Sequence, residues 1–267
     1  MKRETGQLRA TEYIDRLAAR GEPLFTSLEA QAALDVSPLA VRLALHRLSR
    51  QQRVASPARG FYLVIPPEYR KLGCLPPIHF VHDLMQALGL PYYVGLLSAA
   101  QYHGAAHQRP QEFQIFLERN RLPIHCGAVS VAFVARKRLE DVAVLRLETP
   151  NGTLVVSSPE ATAIDLVGYT SRAGGFSNVA TVLSELAEKL DADKLAVAAA
   201  TAPLPWAQRL GYLLDHLGFG AKTGPLQEYV QHSAKRWVAL STKGKEPHAG
   251  RNKEWKLRIN EKIEMDR

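Results

Sequence analysis

An α+β protein of two domains is what the sequence predicts, on three observations. Residues 1–65 read as three short helices followed by a two-stranded ribbon. A stretch with two Pro pairs and a Gly, "PPEYRKLGCLPP" from Pro66 to Pro77, breaks the pattern. Beyond it come strand-like runs and then helical ones, the segregated order of α+β folds. A chain of 267 residues is long for one core and comfortable for two. The expected division is therefore 1–65, a linker at 66–78, and a larger domain over 79–267.

The elements follow in order. "QLRATEYIDRLAAR" carries Leu8, Tyr13, Ile14 and Leu17 at helical spacing, and Gly21 closes it. Thr26 or Ser27 caps a short helix, "LEAQAALDV". After "VSP", with Ser37 as cap and Pro38 in the first turn, "LAVRLALHRLSRQQ" continues as a third helix. "RVASPARGFYLVI" reads as strand, turn, strand, with Arg59 and Gly60 in the turn. In the second domain "IHFVHDLMQALG" and "YVGLLSAAQYHG" are helical. Strands are expected at "EFQIFLE", "AVSVAFVA", "VAVLRLE" and "TLVVSS". Their short connections predict a mostly antiparallel sheet. A helical bundle follows at "SPEATAIDLVGY", "FSNVATVLSELAEKL", "DADKLAVAAATA" and "PWAQRLGYLLDHLG". Ser158 starts the first of these helices, and Asp191 and Asp193 are both candidates to cap the third. The closing "EWKLRIN" alternates Trp255, Leu257 and Ile259 with charges and predicts a last strand returning to the sheet.

Composition narrows the function classes. At 46% hydrophobic and 22% charged the chain is an ordinary globular one. No run reaches membrane-spanning length, and the N-terminus lacks the apolar run of a signal peptide, so a cytoplasmic protein without a membrane partner is expected. Cys74 and Cys126 have no metal-ligand spacing and are expected as reduced thiols. The net charge of +8 favours polyanionic partners.

That charge is concentrated. Between Asp35 and Gly60 stand five arginines and one carboxylate, a balance of +4, half of the whole. At about 100° per residue, Val41, Leu45 and Leu48 share one face of the third helix. Arg42, His46, Arg50 and Arg53 share the other, with Leu39 and Leu43 beside them and Arg47 on the flank. An Arg-rich helix by itself is commonly just a solvated face. Helix, helix, tight turn, basic helix and ribbon in this order is the plan of a winged helix-turn-helix, in which the third helix enters the major groove of duplex DNA. The expected DNA-binding residues are Ser37, Leu39, Arg42, His46, Arg47, Arg50, Arg53, Arg59 and Gly60. Arg42 and His46, in the first turns, are expected at base edges.

Enzymatic signals are thin. His103 and His107 are four apart, but Gly104 interrupts their helix and no third ligand is at hand, so they read as loop or helix-end histidines rather than a metal pair. Glu118, Glu148, Glu160 and Asp165 do not converge on a carboxylate site. Glu160 suits a first helical turn. Asp165, in an apolar helix, is expected to bond a neighbouring backbone group. No phosphate-binding or nucleophile-elbow motif occurs. No catalytic residue, cofactor or metal is expected.

Three motifs in sequence order carry a family resemblance. "YYVGLLSAAQYHG", with Tyr93, Ser98, Ala99, Tyr102, His103 and Gly104, is similar to the "Y…SALxxHG" region of the AbiEi family, antitoxins of type IV toxin-antitoxin systems that act in abortive phage infection. "VVSSPEATAIDLV" is similar to its "sPErTllDL" signature, with Ala161 where the family has arginine, and "WKLRIN", Trp255 to Asn260, to its terminal strand. The resemblance implies a bifunctional, non-enzymatic protein. Its winged helix would bind inverted repeats in its own promoter, as a monomer or weak dimer, and repress the operon. Its C-terminal domain would neutralise a nucleotidyltransferase-like toxin, with the basic stretches at Arg136 to Arg138 and Lys235 to Arg236 as places for contact. A ligand-responsive regulator without a toxin, or a nucleic-acid-processing enzyme, remain the alternatives from the residues alone.

Overall fold

A computed structural model describes residues 8–105, 110–149, 152–241 and 250–263. The architecture is mixed α+β, and the chain divides into two compact units. The first comprises residues 1–92, 111–135 and 146–154; the second, residues 93–110, 136–145 and 155–267.

The first unit opens with α1 (Ala10–Arg20), β1 (Leu24–Thr26), α2 (Ser27–Leu34), α3 (Pro38–Arg50), β2 (Val54–Ala58) and β3 (Phe61–Val64). Local chemistry sets each boundary. Gly21 takes φ +71 and closes α1 as its N–H donates to the Ala18 carbonyl. Thr26 and Glu29 form a reciprocal capping box at α2, Glu29 N–H to Thr26 Oγ1 at 3.1 Å and Thr26 N–H to Glu29 Oε2 at 2.6 Å. Ser37 caps α3 through the Ala40 N–H at 3.3 Å, with Pro38 in the first turn. Strand β3 lies between β1 and β2, antiparallel to both. Tyr13, Ile14, Leu17, Phe25, Leu34, Val41, Leu45, Leu48, Val54 and Val64 make the core between the three helices and this sheet. Each large apolar side chain there contributes about 1.5–3 kcal/mol.

A second core in the same unit joins Ala55, Leu63 and Ile65 to α4 (Val81–Ala87) and to strands β5 (Phe113–Leu117), β6 (Ile124–Cys126) and β7 (Val129–Ala135). Residues 66–78, expected as a linker, take part in it: Cys74 and Leu75 are buried. Proline restricts the backbone, and such a segment can still pack. The Cys126 thiol is buried beside Cys74, and both are free. Their neighbours explain the meeting. Gly127 turns the β6–β7 hairpin at φ +58, and a Cβ there would lie 2.2 Å from the Leu72 carbonyl oxygen.

The sheet corrects one expectation. Strands β5 and β7 are parallel over five residue pairs, and β4 (Tyr93–Val94) is parallel to β9 (Gly152–Ser157) at Val94 and Val156, while β6 and β7 are antiparallel, so the strands pair in both senses. Short connections mislead because β6, too short to register as a run, returns the chain first. It is antiparallel to β7, which then lies beside β5 and runs the same way.

The second unit is built around α6 (Pro159–Gly168), in which every residue from Glu160 to Val167 is buried. Helices α5 (Leu96–Tyr102), α7 (Gly175–Leu186), α8 (Ala192–Ala200) and α9 (Leu204–His216) pack against it. Helix α10 (Gly224–Ser233), which the sequence pattern did not reveal, packs on α8 and α9. The last strand, β12 (Leu257–Ile259), does not return to the larger sheet. It forms a separate one between β10 (Val238–Ala239), parallel, and β11 (Gly250–Asn252), antiparallel. Trp255 explains the difference. It precedes the strand and is fully buried, its Nε1–H donating to Asp215 Oδ2 at 2.6 Å. Gly211 of α9 makes room: a Cβ there would lie 2.1 Å from the Trp255 ring.

Candidate functional site

Two groups of residues gather the charges and motifs singled out in the sequence, one in each unit. In the first, α3 buries Val41, Leu45 and Leu48 and turns Arg42, His46, Arg47 and Arg50 to solvent. Leu39 and Leu43 stand among these cations at 64% and 55% exposure, although apolar and large. Ser37, also exposed, is engaged as the cap of the same helix. Arg59 is exposed in the β2–β3 turn, where Gly60 takes φ +82 and its carbonyl accepts from the Ser27 N–H at 3.0 Å.

Arg53 departs from the expected face. Helix α3 ends at Arg50, so helical spacing no longer places it, and its Nη2 instead meets Asp15 Oδ1 of α1 at 2.5 Å. It is a tie between α1 and the strand that follows α3. On α3, Arg42, His46, Arg47 and Arg50 with Leu39 and Leu43 make an exposed face of cations and two leucines, able to engage phosphates and apolar groups together.

In the second unit, the motifs "YYVGLLSAAQYHG" and "VVSSPEATAIDLV" meet as a buried polar network. Asp165, fully buried, accepts from the Tyr93 hydroxyl at 2.8 Å and from Arg136 Nη1. Arg136 Nη2 donates to Thr201 Oγ1 at 3.4 Å, and its guanidinium lies 5.8 Å from the Trp206 ring centre. Asp165 thus pairs with side chains, not with a neighbouring backbone group as expected: a carboxylate wholly removed from water needs a cation for its charge. Arg136, in turn, is no part of a surface patch, whereas Lys137 and Arg138 are exposed. Burial pushes the Tyr93 phenol well above its ordinary range, against the pull of Arg136, so it stays a hydrogen-bond donor.

The rest of the network is equally committed. His103 Nε2–H donates to the Ser157 carbonyl at 2.7 Å, and burial holds its imidazole below the ordinary value, with that hydrogen bond opposing. Ser157 Oγ and Thr162 Oγ1 lie 2.7 Å apart. Ser158 caps α6 through the Ala161 N–H at 3.2 Å. Glu160 is buried beneath it, accepting from Ser158 Oγ at 2.9 Å and from the Asp191 N–H at 3.1 Å, a tie between α6 and α8 rather than a dipole partner alone. His107 lies outside the described residues, and among those described no three His, Cys, Asp or Glu side chains gather as a metal site. With every member partnered, the network holds helices and strands in place.

Residues 93–216, which include all of this network, match the family model described as the AbiEi antitoxin C-terminal domain. The chain carries an AbiEi antitoxin C-terminal domain. Its motif residues are thereby given physical roles: Tyr93 and Asp165 hold Arg136, His103 ties α5 to β9, and Ser158 starts α6. No curated protein matches the chain. Among solved structures, the crystal structure of RV2827C protein from Mycobacterium tuberculosis is similar, with a TM-score of 0.71 and 20% sequence identity, covering 94% of this chain and 90% of that one. This likeness extends the shared fold beyond the AbiEi domain to nearly the full length of both chains. No helix among the described residues is long and apolar enough to cross a membrane. The sequence pointed to Asp165 through its apolar surroundings, but Arg136 gave no signal, because its neighbours at Lys137 and Arg138 made it look like part of a charged run.

Proposed function

We propose that the chain is the antitoxin of a type IV toxin-antitoxin system and the repressor of its own operon. Residues 1–65 act as a winged helix-turn-helix domain, with α3 in the major groove and the Arg59–Gly60 turn against the adjacent backbone. The AbiEi domain neutralises a nucleotidyltransferase-like toxin. The observation that carries the DNA-binding half is the division of α3 into a buried apolar face and an exposed face holding Arg42, His46, Arg47 and Arg50. The family match supports the antitoxin half. Leu39 and Leu43, exposed beside Arg42, suit contact with thymine methyl groups, while arginines on phosphates supply salt-dependent affinity.

Mobility shift of the upstream DNA tests the first half. Arg42→Ala is expected to weaken specific binding by about 1–3 kcal/mol, some five- to 150-fold, if Arg42 reads a base. Unchanged binding by that variant overturns the face assignment. Coexpression with a neighbouring nucleotidyltransferase gene tests the second half, scored by growth rescue and co-purification. Failure to restore growth removes the antitoxin reading whatever the DNA result.

A further inference from the structure

The small C-terminal sheet carries a surface that neither the buried network nor the α3 face explains. Residues 235–241 and 250–260 contain six cations, Lys235, Arg236, Arg251, Lys253, Lys256 and Arg258, against the single carboxylate of Glu254. All but Lys256 are exposed, and the Lys256 ammonium is held by the Ala234 carbonyl. Side chains two residues apart on a strand share a face. Trp237 and Ala239 leading into and along β10 therefore point the same way, and register sets Ala239 beside Arg258 and Arg258 opposite Arg251. The other face is spent on the core through Leu257 and Leu240.

Two features of this outer face are not used by the packing beneath it. Arg251 and Arg258 stand directly opposite each other on antiparallel strands, a like-charge pairing that is unfavourable. Among the described residues neither is in an ion pair. Trp237 remains 38% exposed, with the Arg251 guanidinium 5.8 Å from its ring centre. The platform beneath is firmly fixed. Arg209 of α9 donates twice to the Ala239 carbonyl at 3.2 Å, Gln208 donates to the Trp255 carbonyl at 3.0 Å, and Asn260 exchanges two hydrogen bonds with Ser241.

We propose that this face is a second nucleic-acid site, binding a single strand: phosphates on Arg251, Arg258 and Lys253, and an unpaired base stacked on the Trp237–Arg251 pair. An anion between the two arginines relieves their repulsion. An indole beside a guanidinium offers a flat, exposed surface that an unpaired base can stack on, whereas bases within a duplex are already stacked on one another. An acidic protein would satisfy the charges but would leave the aromatic unused. The site is independent of α3 and of the duplex-binding reading.

Fluorescence anisotropy of the full chain with a labelled oligouridylate about twelve nucleotides long, within the usual size of single-strand sites, tests it. Binding is expected at low salt, weakened about five- to 100-fold by Trp237→Ala and largely kept by Trp237→Phe, since a phenyl ring still stacks. Arg258→Ala is expected to shallow the dependence of log affinity on log salt by about 0.7, one single-strand phosphate contact. Arg42→Ala is expected to leave oligouridylate binding unchanged while weakening duplex binding. If Trp237→Ala lowers the thermal midpoint, Trp237→Phe and Arg258→Ala, which leave the buried face intact, decide the matter. The proposal is overturned by absence of binding at low salt, by wild-type affinity in Trp237→Ala, or by polyglutamate competing as well as the RNA.

Discussion

Arg42 and Arg136 are the same residue type in opposite circumstances. Arg136 is 8% exposed within the AbiEi domain, paired with Asp165 and stacked near Trp206, so its hydrogen-bonding capacity is spent inside the fold. Arg42 is exposed on α3, outside the buried face of Val41, Leu45 and Leu48. The contrast teaches that a cation's burial and partners, not its presence in a basic run, decide whether it is scaffold or free to meet a ligand. A buried pair is costly to break, while an exposed arginine is nearly free to lose until its ligand arrives.

The sharpest way to break this comparison is to remove one member of the buried pair. Asp165→Ala, which strands the Arg136 charge, is expected to cost about 3–5 kcal/mol in urea unfolding, and Arg42→Ala less than about 0.5 kcal/mol. Similar costs for the two would dissolve the distinction. Replacing both partners together, Arg136→Met with Asp165→Leu, is expected to recover most of the loss, because no unpaired charge then remains in the interior.

A second, smaller effect comes from His103 in the same network. Burial lowers its folded pKa, so the unfolded chain takes up the proton first. Its contribution is complete above about pH 6.5, the ordinary histidine value, and is lost as pH falls from there through the lower folded value. The urea midpoint is expected to drop between about pH 7.5 and 5, and less so in His103→Gln. An identical pH dependence in that variant would show that His103 is not the group responsible.

The smallest effect is expected at Arg53, which lies between the two extremes. Its pair with Asp15 is partly exposed, the side chains at 25% and 64%, and such pairs contribute about 0.2–1 kcal/mol before solvent screening is counted. Arg53→Ala is expected to lower stability by no more than that and to change duplex affinity less than Arg42→Ala does. A larger loss of DNA binding at Arg53 would return it to the contact surface.

By itself the sequence determined the local structure wherever a short-range rule governs. Gly21, Ser37 with Pro38 and Ser158 each mark a helix boundary that the structure keeps, and of the paired candidates Thr26 or Ser27 and Asp191 or Asp193 the structure uses Thr26 and Asp191, because capping satisfies backbone groups within a few residues. The apolar periodicity of α3 likewise placed Val41, Leu45 and Leu48 inside and Arg42, His46 and Arg50 outside. Long-range partners were another matter. Only the tertiary structure paired Asp165 with Arg136, brought Cys74 beside Cys126, set β5 parallel to β7 and put Arg258 across from Arg251. Each of these depends on which distant strand or helix the chain meets, and that is settled by the packing of whole elements, whose free energy no window of neighbouring residues contains.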